Sequence, residues 1–484
     1  MASHKERFNL HEAITHIFEP GSESEMSDLD DSEDEDFEPE FIERSVAQDF
    51  EKSVNVAEIT NDAVEEKQAI VVENDNSSQG HIPSKESASN QRRVYRWRKK
   101  NPIDFDTTFS GNEFSPPPEN VEEMTPLQYF KLFWDANIIE HISYHTNLYS
   151  TQQTGSSIDT NIEEIEIFFG IQMTMAIVKI SQYKMYWSPE FRYDRIATAM
   201  SLKRYETLRK FIHVNDNTSR RDPANLSDKL FKIRPLLNMV RNNCIKIEPE
   251  QCHSIDEQII PAKTKRSGGV KQYNPRKIHK WGFKNMMRAG KSGIVYDFFM
   301  YGGKHSAGTE KCGAEQSVLR LVEDLPKNQN FQVFFDNWFS TLPLLIKLKS
   351  SGILATATFR SNHIAGCPLM SDKDLKAGGR GSFDYRIDLN SCLLILKWYD
   401  NKGVVVGSTF SSVDATSTKQ RWEAKKKEYY NIMYPDKVQE YNEYMVGVDL
   451  IDMLISLYRV DIQTRKRWYL KIVTHLVNIC NVNG

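Results

Sequence analysis

The apolar period of this sequence changes once, near residue 252, and that change limits the fold more than any other feature. From Thr125 onward, Leu127, Phe130, Phe133 and Ile138 recur at helical spacing, and Thr125-Pro126 suits the N-cap and first turn of a helix. After 252, apolar and polar residues alternate as they do in strands. His253-Ser254-Ile255-Asp256 opens one strand. Ile294 to Met300 forms another, paired with 281–288 through the turn Gly290-Lys291-Ser292-Gly293. Phe331-Gln332-Val333-Phe334-Phe335 runs directly into Asp336. A further strand is expected from Ile353 to Phe359, and two or three antiparallel strands over 383–410. Helices are expected at 163–180, 195–213, 229–246, 314–325, 341–350, 435–458 and 463–480. Strands and helices in this order indicate a mixed α/β core with a β-rich insertion.

Charge divides the chain differently. Residues 1–90 carry a formal charge of −18, which leaves +14 on residues 91–484 within a total of −4. Like charges repel, and residues 1–90 offer little apolar area to offset the entropy of ordering, so they read as a disordered acidic tail. A basic body is the electrostatic footprint of a polyanion binder, although it does not name the polyanion. Residues 91–124 read as a basic and proline-rich linker. Within it, Arg92-Arg93-Val94-Tyr95-Arg96-Trp97-Arg98-Lys99-Lys100 could hold phosphates or act as a nuclear import signal. The six cysteines include no C-x-x-C pair and read as reduced thiols of an intracellular protein. The N-terminus lacks the apolar core of a signal peptide. The stretch from Ile165 to Ile180 is too short and too polar to span a bilayer. A soluble, non-secreted protein is expected.

Two motifs mislead. His11-Glu12-Ala13-Ile14-Thr15-His16 resembles a zinc-protease motif but has one residue too many to place both histidines on one helix face. Gly290-Lys291-Ser292 resembles the end of a phosphate-binding loop, yet Asn285 stands where the first glycine belongs, and the segment joins two strands.

Three acidic positions stand out by context. Asp256 lies in a strand, Asp336 ends an apolar strand, and Asp449 lies three residues before Asp452, on the same face of an expected helix. A carboxylate at the end of a buried strand is costly unless lysine, arginine or a metal pairs with it. Converging carboxylates raise one another's pKa values. A divalent cation such as Mg²⁺ removes the conflict with oxygen ligands. Two such ions roughly 3.5–4 Å apart can activate a water or 3′-hydroxyl and stabilise the leaving oxygen of a phosphodiester. The alternative is that each aspartate is a surface or capping residue.

Several blocks, in order, resemble the piggyBac transposase family. They include Thr125-Pro126-Leu127-Gln128-Tyr129-Phe130, Ser254-Ile255-Asp256-Glu257-Gln258, Gln272 to Lys284, Asp336-Asn337-Trp338-Phe339-Ser340, Tyr441-Asn442 and Gly447-Val448-Asp449. The resemblance implies an RNase H-like core, over 251–360 with its third-acid helix at 435–460, and an insertion domain at 361–434. It also implies a helical dimerisation and DNA-binding domain at 125–250 that resumes at 461–484. It implies catalytic Asp256, Asp336, Asp449 and Asp452, with Asp256, Asp336 and Asp449 holding two Mg²⁺ ions. Arg276, Lys277, Lys280 and Lys284, placed just after the first catalytic strand, could neutralise DNA phosphates beside the metals or be ordinary surface charge, and Arg360 matches a family position linked to DNA handling, although His363 stands where the family has its next basic residue. The implied activity is cut-and-paste DNA cleavage and strand transfer at TTAA by a nuclear homodimer on double-stranded DNA. Family members usually continue into a zinc module rich in cysteine and histidine, which this sequence does not carry, so truncation of the helical segment is expected. A domesticated, non-catalytic DNA-binding protein is the other reading.

Overall fold

The computed structural model describes residues 93–99, 106–112 and 124–484, except 224, 264–266, 268, 276, 278, 304–312, 411–415, 424–426 and 463–466. A short strand, β1 (Trp97–Arg98), precedes a helical region whose longer helices are α1 (Pro126–Phe133), α2 (Ala136–Thr154), α3 (Ile162–Ile177), α4 (Leu202–Phe211) and α5 (Arg234–Ile245). Their ends follow from local chemistry. Thr125 caps α1 by accepting from the Gln128 N–H, and the Gln128 side chain returns to the Thr125 N–H at 2.7 Å, which satisfies two donors reciprocally. Asp135 and Asn161 cap α2 and α3 in the same sense, and Gly155 ends α2 with φ of 78°.

The remainder alternates strands and helices. In order come β2 (Cys252–Pro261), β3 (Gln272–Tyr273), β4 (Trp281–Gly290), β5 (Val295–Met300), α6 (Ala314–Leu321), β6 (Phe331–Phe335), α7 (Leu342–Ser350) and β7 (Ile353–Phe359). They are followed by β8 (Phe383–Asp388), β9 (Leu393–Tyr399), β10 (Gly403–Ser408), β11 (Thr416–Glu423), β12 (Glu428–Pro435), α8 (Asp436–Tyr444), α9 (Gly447–Leu457) and α10 (Tyr469–Asn483). One mixed sheet runs β1-β8-β9-β10-β7-β6-β2-β4-β3, with β5 also on β4. Strands β2, β6 and β7 are mutually parallel, and the other pairs are antiparallel. This mixed α/β sheet is consistent with an RNase H-like core.

Successive side chains of β6 serve opposite faces of the sheet. Phe335 packs with Ile255, Leu321 and Leu345 toward α6 and α7, whereas Phe334 packs with Trp398, Tyr434 and Val438 toward α8 and β12. Each fully buried phenylalanine contributes roughly 1.5–3 kcal/mol. Although more than 200 residues separate α10 from the first helices, its Leu470, Val473 and Val477 share one core with Ile138, Ile142, Phe168 and Leu208. Among the described residues no helix is long and apolar enough to cross a membrane.

Some details differ from the sequence reading. Residues 383–408 continue the main sheet: β10 lies antiparallel to β7, with Val405 opposite Phe359, and covers an edge that would otherwise stay open. Among the described strands, only β11 and β12 form a separate sheet. The helix expected over 435–458 is two helices, α8 and α9, broken at Met445-Val446. The break lets Gly447 dock on β4, where a Cβ would lie 2.3 Å from the Gly290 carbonyl oxygen.

Candidate active site

Register alone brings the first two acids together. In the parallel pair β2–β6, Ile255 lies opposite Phe335, and the pairing ends there. The next residues, Asp256 and Asp336, therefore emerge side by side where the two strands part. Crevices of this kind, at the carboxyl ends of parallel strands, are where open α/β sheets bind ligands. The Asp336 carboxylate accepts from the Trp338 N–H at 2.9 Å, and its carbonyl accepts from Ser340 Oγ at 2.7 Å, which tightens the turn after β6. Asp256 Oδ1 accepts from the Glu257 N–H at 2.7 Å.

Helix α9 supplies the third and fourth acids. Ser254 Oγ, two residues before Asp256, accepts from the Val448 N–H at 3.1 Å. This contact and the close approach of Gly447 fix the first turn of α9 against β2 and β4. Asp449 follows immediately, with Asp452 one turn further. All four acids are part-buried. Burial pushes the carboxyls of Asp256, Asp336 and Asp452 above the usual carboxylate range, Asp452 to about 6, and at Asp256 the neighbouring Asp336 and Asp449 add repulsion. The Lys277 charge opposes this shift at Asp256, and Lys277 and Arg459 oppose it at Asp452. Burial by itself would lower the Lys277 ammonium, but Asp256, Asp449, Asp452 and Glu257 raise it. Of the counter-charges left open by the sequence, a lysine is thus in place.

The donors match a hard divalent cation in kind: carboxylates from three elements meet in one part-open crevice. Among the described residues, however, no three histidine, cysteine or acidic groups stand close enough together to hold an ion. The donors fit in kind, while the carboxylates stand apart from one another.

The Transposase IS4 family model matches residues 125–484. The chain belongs to the piggyBac transposase family. It is 33% identical over 370 residues to the human PiggyBac transposable element-derived protein 3, covering 74% of this chain and 60% of that one. Over 369 residues it is 27% identical to the human PiggyBac transposable element-derived protein 2, again covering 74% and 60%. The matched region therefore spans less than two-thirds of either relative. The piggyBac fold is also matched in a cryo-EM structure of a piggyBac transposase synaptic complex with hairpin DNA. That match has a TM-score of 0.61 and 23% identity and covers 75% of this chain and 74% of that chain.

The basic positions of this piggyBac-family chain do not form one set. Arg276 lies outside the described residues. Lys277 turns toward the acids, and Lys284 is ion-paired with Glu257 and lies 4.0 Å over the Trp338 ring. Lys280 and Arg360 are exposed, and Arg360 Nε donates to Asn337 Oδ1 at 3.3 Å, beside the Asp336 turn. A cleft of about 240 Å³, lined by Tyr273, Asn274, Lys284, Tyr301 and Trp338, opens at this point.

Two further residues shape the site and were not singled out from the sequence. Gln258 donates through Nε2 to Asp452 Oδ1, and its Oε1 faces His475 Nε2 at 2.7 Å. Burial lowers His475 to about 3, so the ring is neutral, and with Nε2–H donating to Gln258 Oε1 the amide is fixed with its donor toward Asp452. Gln258 carried a signal: it lies two residues after Asp256, on the same strand face. His475 carried none, because only tertiary packing of α10 brings it there.

Proposed function

We propose that this chain is a DNA transposase that cleaves and transfers DNA strands in a metal-dependent reaction at transposon ends and TTAA targets. The supporting observation is that Asp256, Asp336, Asp449 and Asp452, from β2, the turn after β6, and α9, share one crevice. Asp256, Asp336 and Asp449 would hold Mg²⁺. When bound, the ions supply Lewis-acid activation of a water or 3′-hydroxyl and stabilise the leaving oxygen. The chain's own residues do the rest. Gln258, held by His475, orients Asp452. Lys280 and Arg360, exposed at the rim, contact DNA phosphates and set the strand's position without reading its sequence. Lys284, tied to Glu257, shapes the rim. In this reading the mixed sheet is an RNase H-like core, α1–α5 and α10 form a dimerisation and DNA-binding body, and the protein works in the nucleus as a homodimer.

A second reading, a non-catalytic DNA-binding protein domesticated from such an element, draws on the separation of these carboxylates: among the described residues no three metal-ligating groups stand close enough together to hold an ion. The discriminating experiment is Mg²⁺-dependent nicking and strand joining on DNA carrying TTAA-flanked terminal inverted repeats, with Asp336→Ala alongside. Activity that disappears in Asp336→Ala is expected. DNA binding without nicking in the wild type would sink the transposase reading and leave the second.

A further inference from the structure

Beside the acids, three large aromatic side chains remain in solvent. Trp338 is 40% exposed, Tyr273 53% and Trp281 51%. Single exposed aromatics scattered over a surface are ordinary, but these are gathered in one place. Tyr273 and Trp281 lie opposite each other in the β3–β4 pairing, with ring centroids 4.8 Å apart. Tyr273 and Trp338 both line the cleft of about 240 Å³, together with the apolar side chains of Ile259 and Met286. The Trp338 indole is held in place. Its backbone N–H is fixed by Asp336 Oδ1 at 2.9 Å. Phe339 meets its ring edge to face, with centroids 4.7 Å apart. Lys284 lies 4.0 Å over the ring and is itself ion-paired with Glu257, the residue after Asp256. These contacts set a fixed aromatic surface in the wall of the cleft, two residues beyond Asp336.

We propose that this cleft is a binding subsite for one unstacked nucleobase, held on the Trp338 and Tyr273 rings beside the acid cluster. The proposal rests on the DNA-binding reading given above. The cleft is smaller than the roughly 300–1,000 Å³ of sites for drug-sized molecules, and it suits a single planar ring system. Every base has a π-face, so aromatic rings take any of the four without reading sequence. Lys271, 4.9 Å over the Trp281 ring, and the exposed Lys280 put positive charge on the same β3–β4 hairpin for the flanking phosphates. Bases inside a duplex are stacked and paired. The occupant is therefore an extrahelical nucleotide, for which the cost of unstacking is smallest. A base seated here fixes the strand beside the acids more closely than phosphate contacts at the rim can.

The test is equilibrium binding of the full-length chain, in EDTA and at one salt concentration, to two DNA duplexes that differ by a single extrahelical 2-aminopurine. Wild type is expected to bind the duplex with the extrahelical base at least about fivefold more tightly than the fully paired one, the lower end of what one base–aromatic stack contributes. The 2-aminopurine fluorescence should be quenched on binding. Trp338→Ala is expected to bring the affinity ratio close to one and to abolish the quench. Trp338→Phe, which keeps a ring, is expected to keep the ratio. So is Trp422→Ala, at an exposed tryptophan of the separate β11–β12 sheet. Tyr273→Ala is expected to lower the ratio, and it carries the test should Trp338→Ala fail to fold. Equal affinity of wild type for the two duplexes, or a ratio that survives in Trp338→Ala, overturns the subsite and leaves the DNA reading standing. A Trp338→Phe that melts as wild type does but loses the ratio as fully as Trp338→Ala contradicts stacking. If wild type binds neither duplex, the DNA reading falls and the subsite falls with it.

Discussion

Asp297 and Asp256 lie on β5 and β2, two strands apart in one sheet, and their surroundings are opposite. Asp297 is fully buried and has a guanidinium fork: Arg241 donates to its two oxygens at 2.6 and 3.0 Å. Asp324 accepts from the same arginine at 3.1 Å. At Asp256 the Lys277 charge opposes the repulsion of Asp336 and Asp449. The Asp297 group joins α5 to β5 and has geometry suited to stability. The Asp256 group is part-open. A carboxylate kept for structure is matched by a fork, whereas the carboxylates of the crevice repel one another.

The largest effects should separate the two groups. Asp297→Asn removes the buried one of Arg241's two acidic partners, leaving it only Asp324, and should cost about 3 kcal/mol of stability, read by denaturant unfolding. Asp336→Asn should raise the melting temperature of the metal-free protein by relieving repulsion, yet reduce nicking by more than about 100-fold. A stability loss at Asp336 equal to that at Asp297 would erase the contrast.

Next come changes that disturb the frame of the acid cluster. Gly447→Ala forces α9 away from Gly290 and should cost about 1–3 kcal/mol while slowing nicking. His475→Ala takes the 2.7 Å partner from Gln258 Oε1 and should cost about 1–3 kcal/mol, with nicking slowed about tenfold as Asp452 loses its oriented donor. Nicking that survives His475→Ala unchanged would make the Gln258 contact merely structural.

The smallest effect concerns pH. Burial holds Asp452 at about 6, above the roughly 3.9 of an unfolded aspartate. Its stabilising contribution is full below the unfolded value and is lost as pH rises through about 6. Burial of His213 and His475, at about 4 and 3, acts in the other sense, since a depressed imidazole loses stability as pH falls. The readout is therefore the stability difference between metal-stripped wild type and Asp452→Asn. Wild type should lose ground to the variant as pH rises from about 4 to about 6. A difference that does not change with pH contradicts the burial of Asp452.

The sequence made the acids legible for specific reasons. Asp336 ends an uninterrupted apolar strand, Asp449 and Asp452 share a helical face, and the glycine turn at 290–293 marks the β4–β5 hairpin. The family motifs placed these in order. Contacts set by non-local packing stayed hidden. A lysine in a basic run reads as solvated, and only the hairpin closure at Asn274 and Lys280 turns Lys277 inward. Alternation in 383–408 indicated strands, but no local pattern says that β10 completes the edge of β7. The apolar spacing of 435–458 continues through the break at Met445-Val446, because the need for that break lies in Gly290, on another strand.

The most direct test of the acid cluster as a metal site is anomalous diffraction from crystals of the full chain soaked in Mn²⁺. The account expects Mn²⁺ peaks among Asp256, Asp336 and Asp449, with the Arg241–Asp297 pair unchanged. Crystals that show no peak at these acids would contradict it.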